Sequence, residues 1–406
     1  MALLPVADAL AQVLAPAQVL PSETVPLGEA HGRVLAGPIH ALRTQPGFDA
    51  SAMDGYAVRA ADAVEGARLR LVGEAAAGHA FAGTLNAGEA LRIFTGAPVP
   101  AGADAVVIQE NTRRDGDVVV IDAAAKAGQH IRGTGLDFRT GEAALARGTR
   151  LGPRDLALAA AMNHGKLSVV RRPRVAVLAT GDELVEPGSE VGPHQIVTSN
   201  SWAIAALAAS EGAEVIDLGI ARDSYESLGA AIGRARAAAA DILVTIGGAS
   251  VGDHDLVQKA LRDAGMQPGF WKIAMRPGKP LMHGALGATH VLGLPGNPVS
   301  AVVCGVLFLA PLIRALSGRA DVELPRRTAR LATPWPANDQ REDYLRATLT
   351  LDEAGGMPEV SPLVSQDSSL VSVLQRADCL VIRPPFAPAA QVGDLCRFID
   401  LRQAGF

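Results

Sequence analysis

The acidic motif TGDEL covers Thr180 to Leu184 and directly follows the β-branched run RVAVLAT. Asp182 and Glu183 therefore lie at the end of a predicted buried strand, where backbone amides and helix N-termini gather in α/β proteins. Asp and Thr are also ordinary helix caps, so N-capping of the next element is the competing interpretation. The motif by itself is compatible with either role.

A glycine-rich motif, GGASVGDHD, follows the strand candidate DILVTIGG. Its first residues, Gly247 and Gly248, let backbone amides approach a phosphate, and Ser250 belongs to the same turn. Asp255 closes the motif, and with the preceding Asp and His it could hold a divalent cation that bridges the phosphate. A glycine pair after a strand is weak evidence alone, but together with TGDEL it begins to describe a pocket.

Asp223 follows the strand candidate EVIDLG and would add a further carboxylate to the same crevice. For Asp223 in isolation the N-cap role is again the alternative, with Ser224 as a competitor. Three carboxylates converging on one crevice repel one another unless a cation joins them. We therefore infer a metal ion in this crevice.

The segment WKIAMRPGKP carries three cations around a rigid Pro-Gly turn, namely Lys272, Arg276 and Lys279. Surface cations are usually just solvated, but three of them beside acidic motifs predict an anion clamp. The following motif GLPGNPVSA offers a second amide nest where a helix begins, or else only a tight connection.

Three motifs in the N-terminal half concentrate further polar residues. PGFDASAMDGYAVR concentrates Asp49, Ser51 and Asp54. FTGAPVPAGADAVV adds Thr95, and IRGTGLDF adds Arg132 and Asp137. Any one of these motifs could be only a turn. Their joint presence makes the sequence pattern specific.

The elements that must position these residues are clearest between Pro173 and Gly318, where β-branched runs alternate with helical patterns. This alternation predicts right-handed crossovers and a parallel sheet covered by helices on both faces. Ligands of such open sheets bind beyond the carboxyl ends of the strands. The predicted strands are RVAVLAT, EVIDLG, DILVTIGG, GFWKIAM and HVLGLPG, and the predicted helices are 201–212, 224–240, 255–264 and 299–317.

The flanking regions lack this rhythm and consist of short strand candidates between Gly and Pro turns, which favours largely β domains. The resulting fold class is multidomain α/β plus β, with a three-layer α/β domain at the centre. We predict an N-terminal and linking domain (1–42 and 141–172), an inserted β-rich domain (43–140), the α/β domain (173–318) and a C-terminal β-barrel (319–406).

Composition limits the class of protein. The 406 residues, 49% of them hydrophobic, exceed what one compact core organises. A net charge of -5 gives no electrostatic reason to expect nucleic acid or an anionic membrane as a partner. Cys304, Cys379 and Cys396 lie far apart and form no C-x-x-C pair, so a disulfide framework and a zinc finger are disfavoured. These features fit a reducing compartment, the cytoplasm.

Two apolar segments bear on membrane association. The start, MALLPVADALAQVLAP, lacks a positive n-region and reads as an amphipathic helix, which argues against export. The run Val299 to Ile313 is too short to span a bilayer and contains Pro311, which favours a buried helix. We expect a soluble protein.

The motifs PGFDASAMDGYAVR, TGAPVP, TGDEL, GGASVGDHD, RPGKP and GLPGNPVSA, in this order, resemble the molybdopterin molybdenumtransferase family, whose animal relatives include the catalytic E domain of gephyrin. The resemblance covers nearly the whole chain, from VPLGEAHGRVLA through DLCRFIDL. It implies an elongated four-domain subunit and a homodimer whose site is lined by both subunits. It also implies a reaction in which molybdate and adenylyl-molybdopterin give molybdenum cofactor and AMP, with a divalent cation such as Mg²⁺.

The resemblance assigns roles position by position. Catalytic roles fall on Asp54, Thr95, Glu183, Asp223 and Asp255, of which the last three would bind the metal. Substrate-binding roles fall on Arg132, Asp137, Gly247, Gly248, Ser250, Lys272, Arg276, Lys279, Pro280, Arg346 and Ser368. Molybdate is a tetrahedral dianion, for which the arginine and lysine side chains and the Ser368 hydroxyl are suitable partners.

Three departures from the family pattern occur. Ala249 stands where Val or Thr is more common, and Arg276 replaces a common Lys while keeping its charge. Asp367 precedes Ser368 where Gly is frequent, so the match of that loop is the least secure.

Other functions remain open to comparison. A molybdopterin adenylyltransferase, or a related amidohydrolase of pyridine nucleotides, would share the glycine-turn domain but not AMDGYAVR, TGAPVP or the C-terminal barrel. A gephyrin-type scaffold is disfavoured because little room for a further module precedes Val25. Tungstate in place of molybdate stays open, since the two oxyanions have nearly the same shape and charge. A transient contact with the adenylyltransferase is a further expectation.

Overall fold

A computed structural model of the chain describes residues 3–248, 256–352 and 355–402. Its helices cover Val6–Leu14, Pro153–Ala161, Asn200–Ser210, Tyr225–Ala237, Leu256–Asp263, Pro298–Cys304, Ala310–Leu316 and Val371–Gln375. A π-helical turn, Gly305–Leu309, joins Pro298–Cys304 to Ala310–Leu316, so these three pieces form one long helix.

The central sheet contains six strands among the described residues. Their spatial order is Glu214–Ala221, Arg174–Thr180, Ile242–Ile246, Thr289–Leu294, Met282–Leu286 and Gln267–Phe270. The first four run parallel, whereas the last two are antiparallel to their neighbours. The expectation of a wholly parallel sheet is therefore corrected at one edge. The reason is local: a tight turn at Gly287, with φ at +64°, folds Met282–Leu286 directly back on Thr289–Leu294, which leaves no room for a crossover helix.

Both faces of this sheet are buried. Along Arg174–Thr180, Val175 and Val177 join one core cluster, whereas Ala176 and Leu178 join another on the opposite face. The first cluster includes the N-terminal helix, Asn200–Ser210 and the long helix; the second includes Tyr225–Ala237 and Leu256–Asp263. A strand buried on both faces carries a continuous apolar run, as RVAVLAT does. The predicted three-layer α/β domain is confirmed.

The long helix Pro298–Leu316 is the one described helix that is long and apolar enough to cross a membrane, and 94% of its most apolar window is buried inside the protein. Its buried side chains pack on the central sheet and on barrel residues such as Tyr344 and Ile399. It therefore serves as a core helix that joins two domains.

The inserted region folds around a second sheet. In spatial order its described strands are Ala105–Ile108, Gly55–Val58, Glu89–Ile93, Arg68–Ala75, Val118–Ile121 and Thr112–Asp115. Alternate residues of Gly55–Val58 face two small cores, with Tyr56 and Val58 on one side and Ala57 on the other. Two short strands, Ala50–Ser51 and Ile131–Arg132, pair beside this sheet.

The connection between the inserted and central regions is short and antiparallel. Ser22–Pro26 pairs with Lys166–Val170, and Ile39–His40 pairs with Ala143–Leu145. These pairs bring the two ends of the inserted segment back together.

The C-terminal region closes into a barrel, as predicted. In the described part of the chain the barrel strands are Arg326–Leu331, Glu342–Thr350, Glu359–Pro362, Cys379–Arg383 and Leu395–Asp400. Closure comes from Glu342–Thr350, which pairs with both Glu359–Pro362 and Cys379–Arg383. The segment expected as the single strand GFWKIAM is split instead. Its first part ends at Phe270 on the central sheet, while Met275–Arg276 pairs with Glu342–Asp343 of the barrel.

Candidate functional site

Three turns meet at the carboxyl ends of neighbouring parallel strands in the central sheet. They follow Thr180, Ile246 and Leu294. Gly247 lies so close to the first turn that an added Cβ would stand 2.7 Å from the Thr180 carbonyl oxygen, and a Cβ on Gly296 would stand 3.7 Å from the Cα of Gly247. This convergence is the strand-end crevice that the alternating pattern predicts.

The crevice opens into a cleft of about 290 Å³, which we call the central cleft. Its polar lining consists of Thr180, Glu183, Thr198, Ser199, Asn200, Asn297 and Ser369, and its apolar walls include Leu184, Ile196, Val197 and Ile246. No Lys or Arg is found among its described lining residues. The central cleft therefore offers neutral hydrogen-bonding groups and a carboxylate.

An acidic corner stands at the rim of the central cleft. The Asp182 Oδ1 accepts a hydrogen bond from the Asp223 N–H at 3.2 Å, and its carbonyl accepts one from Arg222 at 3.0 Å. Partial burial raises the pKa of Asp223 above its ordinary value, and the neighbouring carboxylates of Asp182 and Glu183 raise it further. The structure thus brings Glu183 and Asp223 together and adds Asp182, to which the family resemblance gives no role although it stands in the same motif.

Carboxylate oxygens that repel one another suit a hard divalent cation such as Mg²⁺. Within the described residues no group of three or more His, Cys, Asp and Glu side chains has the arrangement of a metal site. Asp255, the third expected ligand, and Ser250 lie outside the described residues. The fit of a cation therefore depends on the donor chemistry and mutual repulsion at Glu183 and Asp223.

The glycine pair is more constrained than an open amide nest. Gly247 and Gly248 have φ of +92° and +62°, and a Cβ on Gly248 would approach Val257 Cγ2 to 2.3 Å. Only glycine adopts this backbone without strain. The Gly247 N–H is already used, because it donates to the Leu294 carbonyl at 3.2 Å. An anion here would have to use other amides of the turn.

A loop of the barrel closes one side of the central cleft. Asn297 Nδ2 donates to Ser368 Oγ at 3.0 Å, and the Val299 N–H donates to the Ser368 carbonyl at 3.0 Å. Ser369 lines the cleft. Ser368, whose match to the family was the least secure, is thus held at the N-terminus of the long helix. Asn297 was not among the predicted residues, although GLPGNPVSA contains it.

The guanidinium of Arg276 forms hydrogen bonds with side chains of the barrel region. Its Nε donates to Asp343 Oδ1 at 2.9 Å, its Nη2 contacts Asp343 Oδ2, and the same Nη2 reaches Asn338 Oδ1 at 3.2 Å. The Asp343 side chain is only 2% exposed. The guanidinium fork expected to face an oxyanion therefore faces a buried carboxylate. Lys272 and Lys279 are exposed on either side, and Pro280 is half-buried.

Arg346, in contrast to Arg276, is buried and has no carboxylate hydrogen-bonded to its guanidinium in the described structure. It is 1% exposed, and its Nη1 donates to the Tyr344 carbonyl at 3.2 Å. Its Nε and Nη2 are buried without a hydrogen-bond partner in the described structure. Burial lowers the pKa of Arg346 to about 10, against the opposing effect of Asp343 and Asp367. A buried N–H edge without a partner is costly, so this edge suits an anionic ligand or water.

Two carboxylate-threonine pairs stand in the inserted domain. Asp54 Oδ1 accepts both the N–H and the hydroxyl of Thr95 at 2.7 Å, and Asp49 Oδ1 accepts both from Thr134 at 2.8 Å. These hydrogen bonds hold the pKa of each carboxyl below its ordinary value. Gly55, next to Asp54, must be glycine, because a Cβ there would lie 1.9 Å from the Val107 carbonyl oxygen. The structure therefore brings together Asp54 and Thr95, two residues to which the family resemblance assigns catalytic roles.

The inserted domain has a cleft of about 340 Å³, which we call the inserted cleft. Its lining is Arg43, Gln45, Pro46, Gly47, Phe48, Ala50, Gly96, Arg132, Leu136 and Asp137. The predicted residues Arg132 and Asp137 meet here, beside Gly96, which follows Thr95. None of its lining residues lines the central cleft. The chain therefore presents the predicted residues Arg132 and Asp137 in one cleft and Glu183 in another.

Comparison with known families matches three consecutive regions of the chain. Residues 4–163 match the MoeA N-terminal region (domain I and II), residues 176–315 match a probable molybdopterin binding domain, and residues 328–401 match the MoeA C-terminal region (domain IV).

Individual relatives span most of the chain. A molybdopterin molybdenumtransferase of Nostoc is 42% identical over 307 residues, 74% of this chain and 70% of its own length, and one of Haemophilus influenzae is 36% identical over 89% of each chain. Two crystal structures of the molybdopterin biosynthesis MoeA protein of Pyrococcus horikoshii match 98% of this chain and 99% and 100% of theirs, each with a TM-score of 0.83, at 32% and 27% identity.

Proposed function

The chain belongs to the molybdopterin molybdenumtransferase family, and we propose that it inserts molybdate into adenylyl-molybdopterin to give molybdenum cofactor and AMP. It is an enzyme of molybdenum cofactor biosynthesis. The observation that carries the proposal is the convergence of the three strand-end turns on a hydrogen-bonding cleft lined by Glu183, with Asp223 close to Glu183 at the end of the neighbouring strand Glu214–Ala221.

Glu183, Asp223 and Asp255 would hold a divalent cation, with Mg²⁺ as the proposed ion. When bound, such a cation offsets the negative charge of a phosphoanhydride and polarises it for attack. Carboxylates that are crowded as Asp223 is by Asp182 and Glu183 support this assignment, because a cation removes their repulsion.

Molybdate would bind where the barrel meets the central domain. The buried free edge of Arg346 supports this location, as do the exposed Lys279 and the Ser368 hydroxyl. Lys272 and Pro280 belong to the same surface. Arg276 adds positive charge there, while its fork remains paired with Asp343. Gly247, Gly248 and Ser250 would approach the pyrophosphate of the substrate.

We further propose that the protein is a cytoplasmic homodimer with a composite site. Asp54, Thr95, Arg132 and Asp137 of one protomer would face the central cleft of the other. The separation of the two clefts within one protomer supports this arrangement, since one ligand needs residues from both. A transient contact with the adenylyltransferase that makes the substrate, and the four domain boundaries given above, are proposals of the same kind.

The reaction is tested by incubating the protein with adenylyl-molybdopterin, Mg²⁺ and either molybdate or tungstate, and measuring AMP. AMP release that depends on the oxyanion is the expected result; its absence with both oxyanions contradicts the proposed reaction. The ratio of the two rates shows which oxyanion is preferred.

The composite site is tested by mixing two inactive variants, Asp54→Ala and Glu183→Ala, under conditions of demonstrated subunit exchange. Mixed dimers would contain one intact site, so part of the activity should return. If subunits exchange and activity stays absent, each protomer uses its own residues. A mixture of Asp54→Ala with Thr95→Ala serves as the control, because both changes fall on the same half of the site and no intact site can form.

A further inference from the structure

The side chain of Arg92 lies between two aromatic rings in the inserted domain. Its guanidinium carbon is 5.2 Å from the ring centroid of Tyr56 and 4.8 Å from that of Phe94. Arg92 is paired with Tyr56 across neighbouring strands, and Phe94 is two residues further along its own strand direction. Contact with two ring faces restrains the plane of the guanidinium and is favourable for a cation.

The same guanidinium connects three adjacent strand ends. Nη1 donates to the Gly55 carbonyl at 3.3 Å, and Nη2 donates to Gln109 Oε1 at 2.9 Å. The Gln109 N–H in turn donates to the Asp54 carbonyl at 3.1 Å. Arg92 therefore ties together the strands Gly55–Val58, Glu89–Ile93 and Ala105–Ile108 at the edge from which Asp54 and Thr95 emerge.

The orientation of Thr95 has a chemical consequence. Its hydroxyl has one proton, and that proton is donated to Asp54 Oδ1 at 2.7 Å. Toward a bound ligand, Thr95 Oγ1 can then only accept a hydrogen bond, and the second oxygen of Asp54 is an acceptor as well. This pair suits an N–H or O–H group of the substrate, whereas the oxygens of molybdate or phosphate would be repelled.

We propose that Arg92 is a positioning residue that holds the Asp54–Thr95 hydrogen bonds in place, so that the pair accepts hydrogen bonds from N–H or O–H groups of the substrate. This inference rests on the proposed function, since it takes adenylyl-molybdopterin as the ligand. The pterin and adenine amines and the ribose hydroxyls of that substrate are the donor groups concerned.

The charge of Arg92 acts in the same direction as its hydrogen bonds. The N–H and hydroxyl of Thr95 are the main reason that the pKa of Asp54 lies below its ordinary value, and the nearby Arg92 cation lowers it further. Loss of this cation should move the pKa of Asp54 upward. The acid limb of an activity profile that depends on ionised Asp54 should then move to higher pH.

The test compares Arg92→Met, Arg92→Lys and the control Arg68→Met in the full-length protein. Arg68 is an exposed arginine of the same sheet, paired with Asp115 away from the cleft. Arg92→Met should lower kcat/KM for AMP release about tenfold to a hundredfold, because displacement of a catalytic group by about 1 Å has effects of that size. Arg92→Lys should recover part of the loss and keep the acid limb where the wild type has it, while Arg68→Met should behave as wild type.

A second variant covers the case in which Arg92→Met fails to fold, as judged by thermal unfolding. Phe94→Leu keeps the cation and its hydrogen bonds but removes one ring contact, and it should lower kcat/KM about threefold. Unchanged kcat/KM in Phe94→Leu together with unchanged kcat/KM in Arg92→Lys would overturn the positioning role. So would an Arg92→Met variant that equals Arg68→Met.

The two proposals can fail separately. If the wild type releases no AMP with either oxyanion, the proposed reaction is wrong, whatever Arg92 does. The carboxyl carbon-13 resonance of Asp54, followed against pH in wild type and in Arg92→Met, tests the positioning role without activity. A higher midpoint in the variant supports it, and identical midpoints overturn it.

Discussion

The central cleft and the inserted cleft are built from opposite kinds of residue. The central cleft is lined by neutral amides, hydroxyls and Glu183, without a cation among its described lining residues. The inserted cleft carries Arg43 and Arg132 beside one carboxylate, Asp137. The two clefts also differ in secondary structure. The central cleft lies at the ends of buried parallel strands, whereas the inserted cleft is formed by short strands and turns.

Neither cleft alone therefore suits a polyanionic nucleotide. Glu183, Asp182 and Asp223 would repel phosphates unless a cation intervened. The arginines of the inserted cleft would attract phosphates but lie apart from those carboxylates. A substrate with both phosphate and donor-rich rings would be served by the two clefts together, and this complementarity supports the proposed composite site.

The largest expected effect is that of Glu183→Gln, which removes charge from the central cleft while preserving shape. The rate of AMP release should fall at least about a hundredfold, the size typical of losing an electrostatic group at a reacting centre. Single-turnover AMP measurement checks this, with the exposed Glu190→Gln as a control from the same region. A variant with more than a third of the wild-type rate would reduce Glu183 to a structural residue and remove the contrast between the clefts.

The next effect concerns the inserted cleft. Arg132→Met should raise KM for adenylyl-molybdopterin with little change in kcat, because an exposed cation there contributes to binding more than to chemistry. Loss of one charge-assisted hydrogen bond costs about 1.5 to 3 kcal/mol, which corresponds to roughly tenfold to a hundredfold weaker binding. Steady-state kinetics checks the split, with the exposed Arg147→Met as the control. A fall in kcat at unchanged KM would instead make Arg132 part of the chemical step.

Features of the fold and the site that depend on local sequence patterns could be predicted from the sequence. Contacts between residues far apart in the sequence could not. The central domain was predictable because RVAVLAT and the runs after it alternate regularly with helices. Its antiparallel edge was not, since MHGAL contains no β-branched residue and a turn at Gly287 folds it back on the next strand. The family resemblance assigned roles to Asp54 and Thr95, but the hydrogen bonds between them join residues 41 positions apart and were not predicted. The pairing of Arg276 with Asp343 joins residues far apart in the sequence, and no local pattern announces it.

A smaller effect separates the two cations of the Pro-Gly turn. Lys279→Ala should raise the molybdate concentration for half-maximal rate about tenfold, and excess molybdate should restore the rate. Arg276→Ala should instead lower the free energy of unfolding by about 2 kcal/mol, less than for a fully buried pair because Arg276 is half exposed.

Denaturant titration and molybdate titration of both variants distinguish these two effects. If Arg276→Ala is as stable as wild type but needs more molybdate, its fork binds the oxyanion and the pair with Asp343 opens during the reaction. If neither variant changes the molybdate dependence, the oxyanion binds elsewhere.

The smallest expected effect is a pair of melting-temperature shifts of opposite sign. It compares Asp54 of the inserted domain with Asp223 of the central domain. The pKa of Asp54 is lowered by the Thr95 hydrogen bonds, so its ionised form stabilises the fold; this contribution is present above the ordinary pKa near 3.8 and is lost as pH falls through the lower folded value. The pKa of Asp223 is raised, chiefly by burial and then by Asp182 and Glu183, so its ionised form costs stability once pH exceeds the raised value.

At pH 7 without a divalent cation, Asp54→Asn should lower the melting temperature and Asp223→Asn should raise it, each compared with Asp117→Asn, an exposed aspartate outside both clefts. Added Mg²⁺ should then raise the melting temperature of the wild type more than that of Asp223→Asn, because only the wild type regains by cation binding what carboxylate repulsion had cost. Shifts of the same sign for Asp54→Asn and Asp223→Asn would mean that the two carboxyl groups do not differ in their electrostatic surroundings.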